Sequence, residues 1–378
     1  MKKKKTIGNI LFSVINAVLG LCVGAVTALL SPAMKDIKDK AMGRYLLDIA
    51  GVLLLLLLAF LIQIIIHEAG HLVFGLMSGY RFSSFRVLSY MLKMEEGRPV
   101  FKRLKLSGTA GQCIMIPPDL VDGKLPYRLY NLGGALMNLI ASALFLMVAV
   151  LLRNAGLGYS YLIILAMVGI YVALTNAVPV NSTVPNDGYN ALFLGKDPNA
   201  VRSFWTQLKI NQLSGEGVRV KDMPDEWFEV PEDADLSNYM VAYTAIARES
   251  RLMDIGEFAE ARALIEKLLG DEVSLPTLQT ALLLNDKAFL DLLENGKDAD
   301  LSDLEKKETA AVLRQMKSFP SVLRTQYAEQ MLKNSDDAKA QEILDAFEKV
   351  SQTYPSQADI ETERDLIRTA KEKAEATE

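Results

Sequence analysis

His67-Glu68-Ala69-Gly70-His71 places two imidazoles four residues apart, with a carboxylate directly after the first. On a helix this spacing puts both imidazoles on one face, where they can share one ion. Zinc accepts two neutral imidazole nitrogens and a third protein ligand while keeping one position open for water. The metal lowers the pKa of that water toward neutrality, and Glu68 stands beside it as the general base. The chain has only these two histidines. The bland alternative is a histidine pair that hydrogen-bonds within its helix. Its place at the end of a long apolar run argues otherwise, because polar groups there are costly unless they are used.

With no histidine left, the third ligand is expected to be Asp or Glu. Nine acids precede residue 191. Asp36, Asp39 and Asp48 fall beyond the other end of the apolar run, and Glu95, Glu96, Asp119 and Asp122 belong to a polar loop. Asp187 remains, in Pro185-Asn186-Asp187-Gly188. Alone, this tetrapeptide reads as a surface turn. Beside a metal motif at the same depth it reads as the third ligand, with Gly188 allowing close backbone approach and Pro179 and Pro185 stopping a helix. Cys113 is a further candidate, but a lone cysteine is more often a small apolar filler.

The elements that must hold these residues are apolar helices. Residues 1–190 carry 18 Lys+Arg against 9 Asp+Glu, whereas residues 191–378 carry 23 against 37. A basic, apolar front and an acidic, polar back read as a membrane domain followed by a soluble one. Four runs are long enough to cross a bilayer, at about 8–30, 45–77, 130–152 and 159–180. The start, Met1 followed by Lys2–Lys5, could open a signal peptide, but the apolar run after it is longer than a signal core. It is read as an uncleaved anchor. Thirteen basic residues on the Lys2–Lys5 side against five opposite predict a multi-pass cell-membrane protein with both termini cytoplasmic. The two cysteines, Cys22 and Cys113, imply no disulfide framework.

Three segments together resemble the site-2 protease family of intramembrane zinc metalloproteases. They are HEAGH at the end of a span, Leu132-Gly133-Gly134-Ala135-Leu136-Met137-Asn138 in a later span, and Asn176 followed by Asp187-Gly188. The resemblance covers residues 45–195. It implies one zinc per chain held by His67, His71 and Asp187, with Glu68 as the base. Asn138 and Asn176 match polar positions that would bind substrate backbone, with inter-helix hydrogen bonding as the alternative role. The interval from Pro179 to Asp187 is longer than the family's. The loop 81–128 has strand-like alternation over 81–90 and 102–108, with Gly97 and Pro99 between. It corresponds to a family β-hairpin that can pair with an unwound substrate.

The expected fold is an all-α polytopic membrane protein with four transmembrane helices and a small β-hairpin insertion, carrying a C-terminal soluble α-helical domain. Its expected parts are a protease domain over 1–195, a linker over 196–236 and a helical domain over 237–378. Met253–Leu269 and, more weakly, Ala338–Val350 carry Gly, aromatic, Ala and apolar positions like a tetratricopeptide-type repeat, with an ordinary bundle as the alternative. The expected function is hydrolysis of a peptide bond of membrane-spanning substrates near the cytoplasmic face. The alternative is an inactive membrane scaffold or chaperone that works through its helical tail. Expected partners are the bilayer, a membrane-protein substrate and a cytoplasmic protein at the tail; no nucleic-acid partner is expected.

Overall fold

The computed structural model describes residues 7–30, 42–95, 97–103, 110–154, 156–180, 185–231, 234–270, 272–273 and 275–376. The Lys2–Lys5 start, most of the basic loop after the first span and the end of the expected strand 102–108 lie outside the described residues. The chain forms two compact units. One is Met1–Val87, Ala110–Asp119 and Lys124–Lys196; the other is Leu88–Thr109, Leu120–Gly123 and Asp197–Glu378.

The first unit holds α1 (Ile7–Leu30), α2 (Met42–Met77), strand β1 (Arg81–Val87), and strand β4 (Gly111–Ile116). It then adds α3 (Tyr127–Leu151), α4 (Leu157–Ala177) and the short α5 (Asp187–Phe193). The helices α1 to α4 are long and apolar enough to cross a membrane, and α2 reaches a mean hydropathy of 3.1. Their outer faces are bare hydrocarbon: Leu21, Leu47, Leu57, Val150 and Leu151 are each more than two-thirds exposed. Patches of that extent suit lipid rather than water, and the unit is fitted for membrane association.

Inside the unit the helices approach closely because small residues face each other. A Cβ on Gly70 would lie 2.3 Å from the carbonyl oxygen of Gly133, and one on Gly133 would lie 2.6 Å from that of Gly70. Alanine fits at neither position. The HEAGH glycine and the later Gly133 therefore set the α2–α3 crossing. The fourth apolar helix, α4, ends at Ala177 rather than 180, because Val178 precedes Pro179 and takes an extended backbone, φ −69° and ψ 121°.

Among the described residues the loop 81–128 holds four strands where one hairpin is expected. β1 and β4 pair antiparallel, Arg81 opposite Ile116 and Val87 opposite Gly111. The second unit contains β2 (Tyr90–Glu95) and β3 (Arg98–Arg103), paired with Tyr90 opposite Arg103. Gly97, at φ +75°, makes the turn between them. The break that divides 81–90 falls at Leu88, φ +53°. Leucine gives no turn signal in sequence, so the run reads as one strand.

The rest of the second unit is helical: α6 (Pro198–Gly215), α7 (Tyr239–Ile255), α8 (Phe258–Leu268), α9 (Thr277–Asn295) and α10 (Ser302–Glu305). These are followed by α11 (Lys307–Gln315), α12 (Pro320–Ala328), α13 (Asp337–Ser351) and α14 (Gln357–Glu375). Half of the expected linker is thus α6. The Asp197 side chain accepts from the Asn199 N–H and Pro198 occupies the first turn, a start signal for a helix. The remainder of that segment also packs: Met223 and Phe228 join Ile210 and Ala247 in a buried cluster. The turn expected in Met253–Leu269 is present, where Gly256 at φ +83° ends α7 and α8 follows. A core of Ile265, Leu268, Phe289, Leu292, Phe347 and Ile360, all nearly or fully buried, gathers these helices.

Candidate metal centre

His67 and His71 lie on one face of α2, both buried. Their Nε2 atoms are 3.1 Å apart. Asp187, the first residue of α5, brings Oδ2 to 3.1 Å from the His67 Nε2 and 3.4 Å from the His71 Nε2. Among the described residues no other trio of His, Cys, Asp or Glu converges in this way.

Second partners fix each ring. The His67 Nδ1 lies 2.8 Å from the Asn138 Oδ1, and the His71 Nδ1 lies 2.8 Å from the Tyr130 carbonyl oxygen. Both partners accept, so each ring donates from Nδ1 and turns an Nε2 lone pair inward. Asn138 cannot reverse its amide cheaply. Its Nδ2 donates to the backbone oxygen and the Oε1 of Gln63, at 2.9 and 2.7 Å. Gln63 in turn donates from Nε2 to the Leu165 carbonyl of α4 at 2.8 Å. Hydrogen bonds between apolar-solvated helices average only about 0.6 kcal/mol each. The chain from α4 through Gln63 and Asn138 to His67 therefore matters for aim more than for stability.

With both rings neutral, two lone pairs and a carboxylate facing one another within 3.4 Å repel unless a cation or a proton sits among them. Ligand atoms about 2.0–2.2 Å from zinc in tetrahedral directions stand about 3.3 Å apart, close to the spacing of this triangle. The donor set fits a metal ion.

Asp187 is placed by Asn186, which sequence reasoning took as part of a turn. Asn186 caps α5, accepting at Oδ1 from the N–H groups of Tyr189 and Val180, both at 3.0 Å. Its Nδ2 donates to the carbonyls of Thr175 and Val178 at the end of α4. Gly188 completes the join, since a Cβ there would lie 2.1 Å from the Ala177 carbonyl oxygen. The N-cap signal, Asn directly before a short helical pattern, was present in sequence.

Glu68 is buried beside the pair and within electrostatic reach of His71, His67 and Asp187. Arg86 of β1, fully buried, also acts on it. The first residue of β4 lies against its carboxylate: a Cβ on Gly111 would lie 2.6 Å from the Glu68 Oε1. Gly134 plays the same part for His67, where a Cβ would lie 2.5 Å from Nε2.

The structure brings His67, Glu68, His71, Asp187 and Asn138 together. Asn176 stands apart, since its Nδ2 donates to the Val172 carbonyl one turn back in its own helix. Cys113 is buried, and its carbonyl accepts from the Tyr130 hydroxyl at 3.1 Å. Burial pushes the Cys113 thiol up to about 12, the opposite of what a metal-binding thiolate needs. Gln63, Tyr130 and Asn186 were missed as parts of the site, whereas Gly134 belongs to the motif quoted with Asn138. In comparisons with protein-family models, curated proteins and solved structures, the chain matches none.

Proposed function

We propose that this chain is an intramembrane zinc metalloendopeptidase of the site-2 protease type, cleaving membrane-spanning substrates near the cytoplasmic face. The observation that carries the reading is the convergence of His67 Nε2, His71 Nε2 and Asp187 Oδ2 within 3.4 Å, with Glu68 next to them. His67, His71 and Asp187 would hold zinc, one per chain. Bound there, zinc supplies Lewis acidity, drawing electrons from a peptide carbonyl and making a water more acidic.

The other steps belong to the chain's own residues. Glu68 takes a proton from the attacking water and returns it to the leaving amine. Asn138 and the Tyr130 carbonyl keep the two imidazoles in the tautomer that leaves Nε2 free. Asn138 is thus a positioning residue rather than a substrate contact.

The substrate must reach Glu68 as an extended strand, because a helix hides its peptide bonds. Among the described residues β4 is paired only with β1, so one of its edges is open, and that strand begins at Gly111 against Glu68. An edge strand beside the base suits substrate binding by strand addition.

Purified protein should carry one zinc and cleave a transmembrane test substrate. Glu68→Gln should keep the zinc and lose cleavage by at least a hundredfold. Cleavage that survives this change would overturn the mechanism.

A further inference from the structure

The second unit has a polar interior of a different kind. A cavity of about 320 Å³ opens between α7, α9 and α14. Four acids line it: Glu249, Asp286, Asp359 and Glu363, with no lysine, arginine or histidine among its lining residues. The guanidinium behind them, Arg324, is engaged through its two terminal nitrogens, while its buried Nε meets no acceptor. It pairs with Asp286 and with Glu363 and stacks on the Phe289 ring at 4.3 Å. Lys93 acts on Asp359 from β2 while donating to the Pro355 carbonyl at 2.8 Å.

Glu249 makes no ion pair of this kind: Arg324 acts on it only electrostatically, and its Oε2 accepts from the Ser250 Oγ at 3.5 Å. It is 2% exposed, and its Oε1 meets no hydrogen-bond donor. The Oε1 of Gln279, on the same wall, is also without one. Buried acceptors left without a donor are costly, and more so when charged. A structural role would be better served by an apolar residue of the same size. Burial and the neighbouring Asp286 push the Glu249 carboxyl well above its ordinary range, and a cation beside it would favour the ionised form.

Among the described residues the only trio of candidate metal-ligand atoms within 4.8 Å is His67, His71 and Asp187, so no three of these four acids gather as closely. They suit a cation whose charge is spread or carried on a stem. The remaining wall supplies the apolar contact for that stem through Leu282, Ile246 and an edge-to-face pair of Phe319 and Tyr354, whose centroids are 5.9 Å apart.

We infer that this cavity is a binding site for an organic cation, the lysine or arginine side chain of a partner polypeptide, with Glu249 as its principal ionic contact. Free polyamines share this chemistry and are the other source to be separated by experiment. The cavity belongs to the second unit and the metal centre to the first, and its test involves neither zinc nor cleavage.

The full chain in detergent micelles is titrated with a fluorescent pentapeptide carrying one central arginine, with the same peptide carrying citrulline, and with spermidine as competitor. The arginine peptide should bind at least ten times tighter than the citrulline peptide. Glu249→Gln should weaken it at least tenfold while the melting midpoint holds. Leu282→Trp, which fills the cavity from its apolar side, should abolish binding with every charge intact. Spermidine that competes but binds tighter than the arginine peptide assigns the same cation site to a free polyamine. Equal affinity for the two peptides with no spermidine binding, or binding unaffected by both substitutions, overturns the inference.

Discussion

The two buried polar clusters solve opposite problems. At α2 and α5 three lone-pair donors meet within 3.4 Å and each is aimed by a second partner. Around α7 and α14 four carboxyls are dispersed, one guanidinium serves two of them, and a buried oxygen is left over. Convergence at this distance selects a small ion of high charge density, because only such an ion touches all three donors at once. Dispersion selects a larger organic cation. Spacing, rather than the number of acids, tells the two apart.

The hardest blow to the metal cluster is His67→Ala or His71→Ala. Zinc measured by mass spectrometry should fall from about one per chain to near zero, and cleavage with it. Gly134→Ala tests whether aim matters as much as ligand identity. A methyl 2.5 Å from the His67 ring must displace it, so zinc affinity should drop by about 10–100-fold with all ligands present. Asn138→Ala should cost about tenfold in zinc affinity, at the low end of the range for an outer partner, whereas Asn176→Ala should leave the metal unchanged.

These contrasts also mark how far the sequence could be read. The four long apolar helices and the meeting of Asp187 with the HEAGH histidines were legible, because periodicity, length and the exhaustion of histidine leave few choices. Tyr130 was not, since it contributes a backbone carbonyl, which any residue type carries. Gln63 left a usable trace: it lies four residues before His67, a lone polar side chain in an apolar run on the same helix face. Leu88 left none, because a leucine in the left-handed region is fixed by its surroundings. The segment 196–236 misled through its acids and prolines, although Asp197-Pro198 is a helix start.

In the dispersed cluster the expected effects are smaller and depend on pH. Burial raises the Glu363 carboxyl to about 7 and the Asp359 carboxyl to about 6. The folded state therefore holds protons that the unfolded chain releases near its ordinary carboxyl pKa. This contribution to stability is fully present below about pH 4 and is lost as pH rises through 6 and 7. Urea unfolding followed by the helical signal should show the second unit weakening across that window. Glu363→Gln should flatten the dependence, and an unchanged slope would remove Glu363 from the cluster. The smallest effect is expected at Arg364, whose pair with Glu348 is about half exposed on both sides. Arg364→Ala should cost less than about 1 kcal/mol, against about 3–5 kcal/mol for Arg324→Ala, which strands two buried acids.

The most direct test of the metal centre is zinc X-ray absorption on the purified full chain. The expected spectrum has two imidazole nitrogens and a carboxylate oxygen at about 2.0–2.2 Å, with the oxygen contribution reduced in Asp187→Ala. A sulfur shell near about 2.3 Å, or a wild-type spectrum unchanged by loss of Asp187, would contradict the assignment of these three ligands.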